Sequence, residues 1–251
     1  MTVVKLPIEP QNFPQVPVLG SRQHCPKASL SPQVVAQLHE AARSATPEDI
    51  KTQVKSAAWD CDGTELQVLC MAIDQDTGGS MYHTAVTAGR IDAMVALSRC
   101  FRADNEIRYR RVYEIIYTHR DRHGDTILHK AAQSGRQDLL LAAFRLFHGD
   151  WLPGEEGRGS YAPAEDTVGE EDEDEFRVPQ LTYLLMENGN GRTAAQEARA
   201  QGHERLAVWL EDILDRSDPA GERLDGATVQ AWREFCDEFY SYADTDRVLT
   251  S

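Results

Sequence analysis

The sequence contains no apolar run that approaches the ~18 residues a helix needs to cross a bilayer. Its first residues also lack the charged and then unbroken apolar order of a secretory signal, because prolines interrupt them at positions 7, 10, 14 and 17. We therefore expect a soluble protein of the cytoplasm, or of the nucleus in a eukaryote, with no membrane partner.

Cysteines are few and scattered, and they do not form the pattern of a metal site. The sequence has no C-x-x-C pair and no Cys/His spacing that suits tetrahedral zinc. The odd number of thiols also argues against a disulfide framework, so we expect free thiols in a reducing compartment. The five residues are Cys25, Cys61, Cys70, Cys100 and Cys236.

Familiar catalytic motifs are absent as well. The sequence has no G-x-x-x-x-G-K-[ST] phosphate loop, no G-x-G-x-x-G loop, no G-x-S-x-G elbow and no H-E-x-x-H motif. His24 precedes Cys25, but neighbouring side chains in an extended segment point apart and make a poor nucleophile–base pair. We therefore predict that the protein is not an enzyme and has no catalytic residue, metal site or cofactor.

Positive charge is in short supply. The 251 residues include 26 Lys and Arg against 41 Asp and Glu, which gives a net charge of −15. Such a chain repels nucleic-acid backbones and attracts cationic surfaces. The balance argues against nucleic acid as a ligand and favours a partner protein with a basic surface.

One segment carries a pattern that recurs along the chain. Residues 121–147 read DRHGDTILHKAAQSGRQDLLLAAFRLF, with weaker copies at 78–101, 189–214 and, in part, 38–54. Glycines suited to positive φ stand in the turn before the first helix at Gly124 and Gly191, and after that helix at Gly89, Gly135 and Gly202. Hydroxyls able to cap the first helix are Ser80, Thr126 and Thr193. Small residues for close helix packing are Ala85, Ala131, Ala132 and Ala198, and the buried stripe of the second helix is Leu139, Leu140, Phe144, Leu206, Trp209, Leu210 and Ile213.

This turn-T-x-L-H-x-A-A-x-x-G pattern resembles the ankyrin repeat. The resemblance implies an all-α solenoid of about four helical repeats, the first truncated, at about 33–57, 76–103, 121–149 and 188–216. It also implies that His83 and His129 hydrogen-bond between neighbouring repeats, and that the connecting fingers border a concave surface that binds partner proteins. The chain departs from the family at Met81, Ile127 and Ala194, which replace proline, at Gln196, which replaces histidine, and at Ala45, which replaces the inter-helix glycine.

The spacing of the copies departs further from the family. Aligned positions 39, 83, 129 and 196 are separated by 44, 46 and 67 residues. Because the ankyrin period is ~33 residues, the connections carry about 11, 13 and 34 extra residues. We place the main insertions at 103–120 and 151–180, on the side of the fingers.

The connection at 102–122 is locally basic. Apolar residues at near-helical spacing predict an extra helix over 105–117. A packed helix with solvated arginines is one interpretation. A phosphate or nucleic-acid site is another, which the overall charge disfavours.

The connection at 151–176 is strongly acidic. Ten carboxylates lie between Glu155 and Glu175, with Arg158 as the only basic residue. Dense like charge with few apolar residues predicts disorder. The segment is either a solvated spacer or a tether that captures a basic partner or folds over the basic connection.

The two ends of the chain differ in character. Residues 1–30 predict an extended segment, disordered or laid against the repeats, because prolines are frequent and apolar residues are sparse. Within 218–251, residues 226–242 read GATVQAWREFCDEFYSY and predict an amphipathic helix with an aromatic face. That helix either caps the last repeat, as repeat arrays require, or docks a partner.

Together these features predict a monomeric, non-catalytic protein-interaction module. It is a general adaptor that binds through the concave face and inserted connections, an inhibitor or chaperone of one basic protein, or a bacterial effector or regulatory adaptor that scaffolds host or transcriptional machinery. The residues predicted to contact the partner are Arg108, Arg111, His123, Asn188, Asn190, Glu171, Asp172, Glu173, Asp174 and Glu175.

Overall fold

A computed structural model describes residues 30–102, 118–148 and 183–217. Within these ranges the chain forms helices and turns without a strand, apart from one β-bridge between Ile73 and Ser80. The expectation of an all-α protein is therefore confirmed for the described residues. The helices are α1 Pro32–Ser44, α2 Pro47–Asp60, α3 Glu65–Met71, α4 Met81–Thr87, α5 Ile91–Arg102, α6 Ile127–Gln133, α7 Gln137–His148, α8 Ala194–Ala200 and α9 Glu204–Ser217.

The helices pack as four successive pairs. Two or three residues join α1 to α2, α4 to α5, α6 to α7 and α8 to α9, and the two members of each pair contact each other. The first helices contact in the order α1, α4, α6, α8, and the second helices contact in the order α2, α5, α7. The pairs therefore stack in chain order, and the long connections do not interrupt the stacking.

The predicted helix caps are present. Thr126 and Thr193 each accept a hydrogen bond on the side-chain oxygen from the backbone N–H three residues later. Ser80 occupies the same place before α4, and its hydroxyl lies 2.9 Å from Nδ1 of His83. The bonds to Thr126 and Thr193 satisfy helix N–H groups that would otherwise lack a partner, which fixes where α6 and α8 begin.

The first pair differs from the prediction. It is not truncated: α1 has 13 residues and α2 has 14, whereas α4, α6 and α8 have seven each. Ala45 joins the two helices in an extended conformation with φ −79° and ψ 163°, so the glycine of the other pairs is not needed. Ser31 and Thr46 cap the two helices, and a proline follows each cap.

The core lies between the two layers of helices. The alanines predicted to allow close packing are buried, and so are Leu139, Leu140 and Phe144 of α7. On α9, Leu206 and Leu210 are buried, while Trp209 and Ile213 are only partly buried. Phe144 meets Trp209 edge to face with a ring-centroid distance of 5.8 Å, which ties the third pair to the fourth.

Helix α3 lies in the first connection and was not predicted. Thr64 and Gln67 form a reciprocal cap at its start. The helix is almost wholly buried and packs against α2 and α5. Part of the extra length of this connection therefore contributes to the core rather than to the turns.

Two equivalent glycines give a test of the stacking. Gly135 and Gly202 both have positive φ, 70° and 81°, but a Cβ on Gly135 would meet the imidazole ring of His203, whose Nε2 atom would be 2.7 Å away. A Cβ on Gly202 would have nothing within 4 Å. We expect Gly202→Ala to lower the free energy of unfolding by about 1 kcal/mol, the strain of a left-handed alanine.

Gly135→Ala should cost about 2 to 3 kcal/mol, because it adds a collision with the next pair and disturbs the bond from His203 to the carbonyl of Gln133. Urea unfolding of both variants measures the difference. Equal losses would contradict the packing of the fourth pair on the third.

Several predictions fall outside the described residues. These are the helix over 105–117, the acidic connection, the extended segment at the start of the chain and the amphipathic helix at 226–242. They stay predictions.

Candidate functional site

Three turns lie before α4, α6 and α8, and each is folded by the side chain at its start. The oxygen of Asp74 accepts the N–H groups of Asp76 and Thr77 at 3.1 and 2.7 Å. Asp121 accepts those of His123 and Asp125 at 2.8 and 3.0 Å, and Asn188 accepts those of Asn190 and Arg192 at 3.0 and 3.2 Å. A short side-chain acceptor of this kind stabilises a turn without help from a ligand.

Backbone hydrogen bonds join the three turns to one another. The N–H of Arg122 donates to the carbonyl of Thr77 at 2.9 Å, and the N–H of Gly189 donates to the carbonyl of His123 at 2.7 Å. The side chain of Arg122 also donates to the carbonyl of Gln75. The tips of the turns therefore form a continuous row, which we call the turn row, at 74–79, 121–125 and 188–192.

Buried histidines connect each helix pair to the next, and we call them the histidine ladder (His39, His83 and His129). Nδ1 of His129 accepts the N–H of Thr126 at 3.3 Å, so the proton must be on Nε2, which donates to the carbonyl of Arg192 at 3.0 Å. His83 repeats the arrangement, with the N–H of Ser80 at 3.2 Å and the carbonyl of Asp125 at 2.9 Å. These bonds match the role that the ankyrin resemblance implied for both residues.

His39 makes a variant of the same contact. Its Nε2 donates to the carbonyl of Ala72 at 3.1 Å, and its Nδ1 lies 2.6 Å from the hydroxyl of Thr84. Burial lowers the pKa of all three ladder histidines, and it lowers that of His83 to about 3. The ladder is therefore held in the neutral form, which is the form its hydrogen bonds require.

A buried polar cluster joins the second turn to the third. Lys130 Nζ lies 2.9 Å from Asp121 and 2.7 Å from Asp125, and the amide of Asn188 donates to Asp125 at 2.8 Å. Burial raises the pKa of Asp125, but hydrogen bonds from Lys130, Asn188 and Gln133 outweigh it and hold that pKa below its usual value. The cluster fixes the fourth pair against the third although 63 residues separate Asp125 from Asn188.

The structure places the predicted contact residues in different settings. His123 and Asn190 are exposed at the tips of the turn row. Asn188 is only 7% exposed, and its side chain is taken up by the turn and the polar cluster, so we assign it to positioning the turn. The remaining residues predicted to contact a partner lie outside the described ranges: Arg108, Arg111, Glu171, Asp172, Glu173, Asp174 and Glu175.

Some residues that organise the site were not found by sequence reasoning. Arg90, Arg136 and His203 each follow a left-handed glycine and donate to a carbonyl at the inter-helix turn of the preceding pair. Asp74, Asp121 and Asn188 stand five or six residues before the helix caps. Both signals are periodic, so an alignment of the copies at these positions could have revealed them.

Charge is unevenly divided along the chain. The described residues hold 18 acidic and 15 basic side chains, which leaves most of the net −15 to the rest of the sequence.

A surface groove of about 310 Å³ lies between α2 and α5, away from the turn row, and its lining includes Lys51, Asp92 and Arg99 but no His, Cys or Ser. The exposed polar row, rather than this groove, is the candidate site.

Asn188 offers a test of how the turn row is held. We expect Asn188→Ala to lower the free energy of unfolding by about 2 to 4 kcal/mol, because Asp125 and two backbone N–H groups each lose a buried partner. Asn190→Ala, two residues away and exposed, should change it by less than about 0.5 kcal/mol. Thermal unfolding of both variants gives the comparison, and similar losses would mean that the cluster does not hold the third turn.

No helix within the described ranges is long and apolar enough to cross a membrane. Comparison with protein-family models found no match, and comparison with curated proteins found none.

Proposed function

We propose that this chain is an ankyrin-type repeat array that binds another protein through the turn row and the inserted connections, without catalysis and as a monomer. The observation that carries the proposal is the turn row itself. Its backbone is held by hydrogen bonds within and between the turns, while side chains at its tips project into solvent.

Preorganisation is the physical reason why such a row suits binding. Ordering a mobile loop on binding consumes part of the interaction energy, and a turn already held in place avoids that loss. Gln75, His123 and Asn190 are exposed on this fixed backbone. Their polar groups can therefore contact a partner surface at little entropic cost.

The charge distribution supports a basic protein as the partner. The described helix pairs are close to neutral, whereas residues 155–175 carry ten acidic side chains and one basic one. This acidic connection lies in the sequence between α7 and the third turn of the turn row. We propose that the acidic connection attracts the partner and that the turn row contacts it, in the manner of an inhibitor or chaperone of a basic protein.

A tip variant tests this proposal. The partner would first be captured from a lysate of the source organism and identified, and its Kd would then be measured by titration calorimetry. We expect His123→Ala combined with Asn190→Ala to raise the Kd about tenfold, a loss of about 1.4 kcal/mol. The variant should keep its melting temperature, because neither side chain belongs to the histidine ladder or the polar cluster.

Gln53→Ala combined with Lys55→Ala is the matched control, since both side chains are exposed on α2, away from the turn row. It should leave the Kd unchanged. The proposal is wrong if the control weakens binding as much as the tip variant does, or if the tip variant binds like the parent protein.

A further inference from the structure

The groove between α2 and α5 lies on the layer of second helices, whereas the turn row precedes the first helices. Nη2 of Arg90, just before α5, donates to the carbonyl of Ala45, just before α2, at 2.7 Å. The two helices therefore begin side by side, and Pro47 and Ile91 from their first turns line the start of the groove. From Ile91 to Arg99 the groove follows eight residues of α5, about 12 Å.

The floor of this α2–α5 groove is apolar. It is formed by Pro47 on α2 and by Ile91, Val95 and Ala96 on α5. Val95 is the fifth residue of α5, and the larger Leu141 is the fifth residue of α7. The small side chains of Val95 and Ala96 leave a hollow that an apolar side chain of a ligand can fill.

The charged groups of the groove favour an anionic ligand. Asp92 is already neutralised, because its two carboxylate oxygens accept hydrogen bonds from Arg90 at 2.8 and 2.6 Å. Lys51 contacts the exposed Glu48 at 2.8 Å, a surface pair of a kind that contributes little and separates readily. Arg99 is exposed and forms no ion pair with a carboxylate of the described residues. The groove therefore offers an open guanidinium beside an apolar floor.

We infer that the α2–α5 groove binds a helix of a second partner protein, one whose contact face carries carboxylates next to apolar side chains. The guanidinium of Arg99 can hold a carboxylate by two parallel hydrogen bonds, while apolar side chains of the same helix fill the hollow at Val95 and Ala96. A length of about 12 Å accommodates about two turns of such a helix.

This inference goes beyond the proposed function. The partner proposed for the turn row is basic, and Arg99 would repel it, so the two surfaces select partners of opposite charge. The chain would then act as an adaptor that brings these two proteins together. Failure of the groove to bind would leave the turn-row proposal intact, because the tests use different residues and different ligands.

An acidic model peptide tests the groove without knowledge of the natural partner. The probe is a fluorescein-labelled peptide of about 16 residues, long enough to form a helix, with a stripe of leucines flanked by glutamates. Fluorescence anisotropy with the full chain at about 0.15 M salt limits repulsion from the rest of the protein to about 8 Å. We expect a Kd of about 100 µM or tighter, and no saturation up to about 1 mM would overturn the inference.

Two matched arginine variants show where the probe binds. Arg99→Glu should raise its Kd at least about tenfold, because the carboxylate would meet a like charge. Arg205→Glu makes the same change of charge at an exposed arginine of α9, and should alter the Kd by less than about twofold. Both variants should keep their melting temperature, and equal weakening by both would show that the probe senses only net charge, which contradicts a site in the groove.

Changing the probe separates the two kinds of contact. A peptide with glutamine in place of glutamate should bind the parent protein about tenfold more weakly, and Arg99→Glu should no longer weaken its binding. Binding of the acidic probe only after Glu171, Asp172, Glu173, Asp174 and Glu175 are replaced by amides would mean that the chain's own acidic connection occupies the groove. That result would overturn the assignment to a second protein.

Discussion

Acidification from pH 7 to pH 5 should lower the free energy of unfolding by about 2 kcal/mol through His83 alone. In the folded protein its Nδ1 accepts the N–H of Ser80 and its Nε2–H donates to the carbonyl of Asp125, so a second proton would break the bond from Ser80 and place a charge in a buried site. Burial, together with neighbouring His119, lowers the pKa of His83 to about 3, whereas an unfolded histidine has its ordinary pKa of 6.5.

The direction follows from which state binds the proton. Below pH 6.5 the unfolded chain takes up a proton at position 83 that the folded chain refuses until about pH 3. The stability contributed by the neutral ring is therefore complete above pH 6.5 and is lost progressively as the pH falls. His39 and His129, whose pKa values are also lowered by burial, should add to the loss.

Urea unfolding of the full chain at the two pH values measures this effect. We expect His83→Gln to be less stable than the parent at pH 7 but to lose about 2 kcal/mol less on acidification, because glutamine does not titrate. His123→Gln changes an exposed ring outside the histidine ladder, so this variant should lose as much unfolding free energy between pH 7 and pH 5 as the parent does. If His83→Gln loses as much unfolding free energy on acidification as the parent protein, the histidine ladder does not control the pH response.

Neutralising the acidic connection should raise the Kd for a basic partner about 10-fold to 100-fold at low salt, because long-range attraction speeds association with a cationic surface. The variant replaces Glu171, Asp172, Glu173, Asp174 and Glu175 by the corresponding amides. The loss should shrink at high salt, where screening already weakens the attraction in the parent protein. We expect stability to stay unchanged, because the histidine ladder and the polar cluster that join the described pairs are formed by other residues.

A charge-matched control separates a local effect from net charge. It replaces five acidic residues near the end of the chain by amides: Asp218, Glu222, Asp225, Asp244 and Asp246. We expect less than a threefold change in Kd for this control, because its five residues all lie more than 40 positions further along the chain than Glu175. Equal weakening by both variants would mean that the acidic connection acts only through net charge, as a spacer.

Local and periodic features of the fold were predictable from the sequence. A hydroxyl before a helix and a glycine after it act through bonds within a few residues, so Thr126, Thr193, Gly89, Gly135 and Gly202 could be assigned from the pattern alone. The first pair was wrongly predicted to be truncated, because only the partial copy of the repeat at 38–54 was aligned with it. The cap and proline at Ser31–Pro32 and at Thr46–Pro47 mark both of its helix starts.

Features that depend on distant parts of the chain could not be predicted in this way. The burial of Asn188 results from contacts with Asp125 and Glu197, and the first of these lies in another pair. From the sequence alone, Asn188 and Asn190 are equivalent turn residues. Only the packing of the third turn on the second makes one of them part of the interior and leaves the other in solvent.

The most direct test of the proposed function is hydrogen exchange of the full chain with and without the identified partner. If the partner lies on the turn row, the amides at 75–79, 122–124 and 189–192 that are not already protected should exchange more slowly in the complex, with little change in α2, α5 and α9. Slower exchange confined to α2, α5 and α9, with the turn row unaffected, would contradict the proposal.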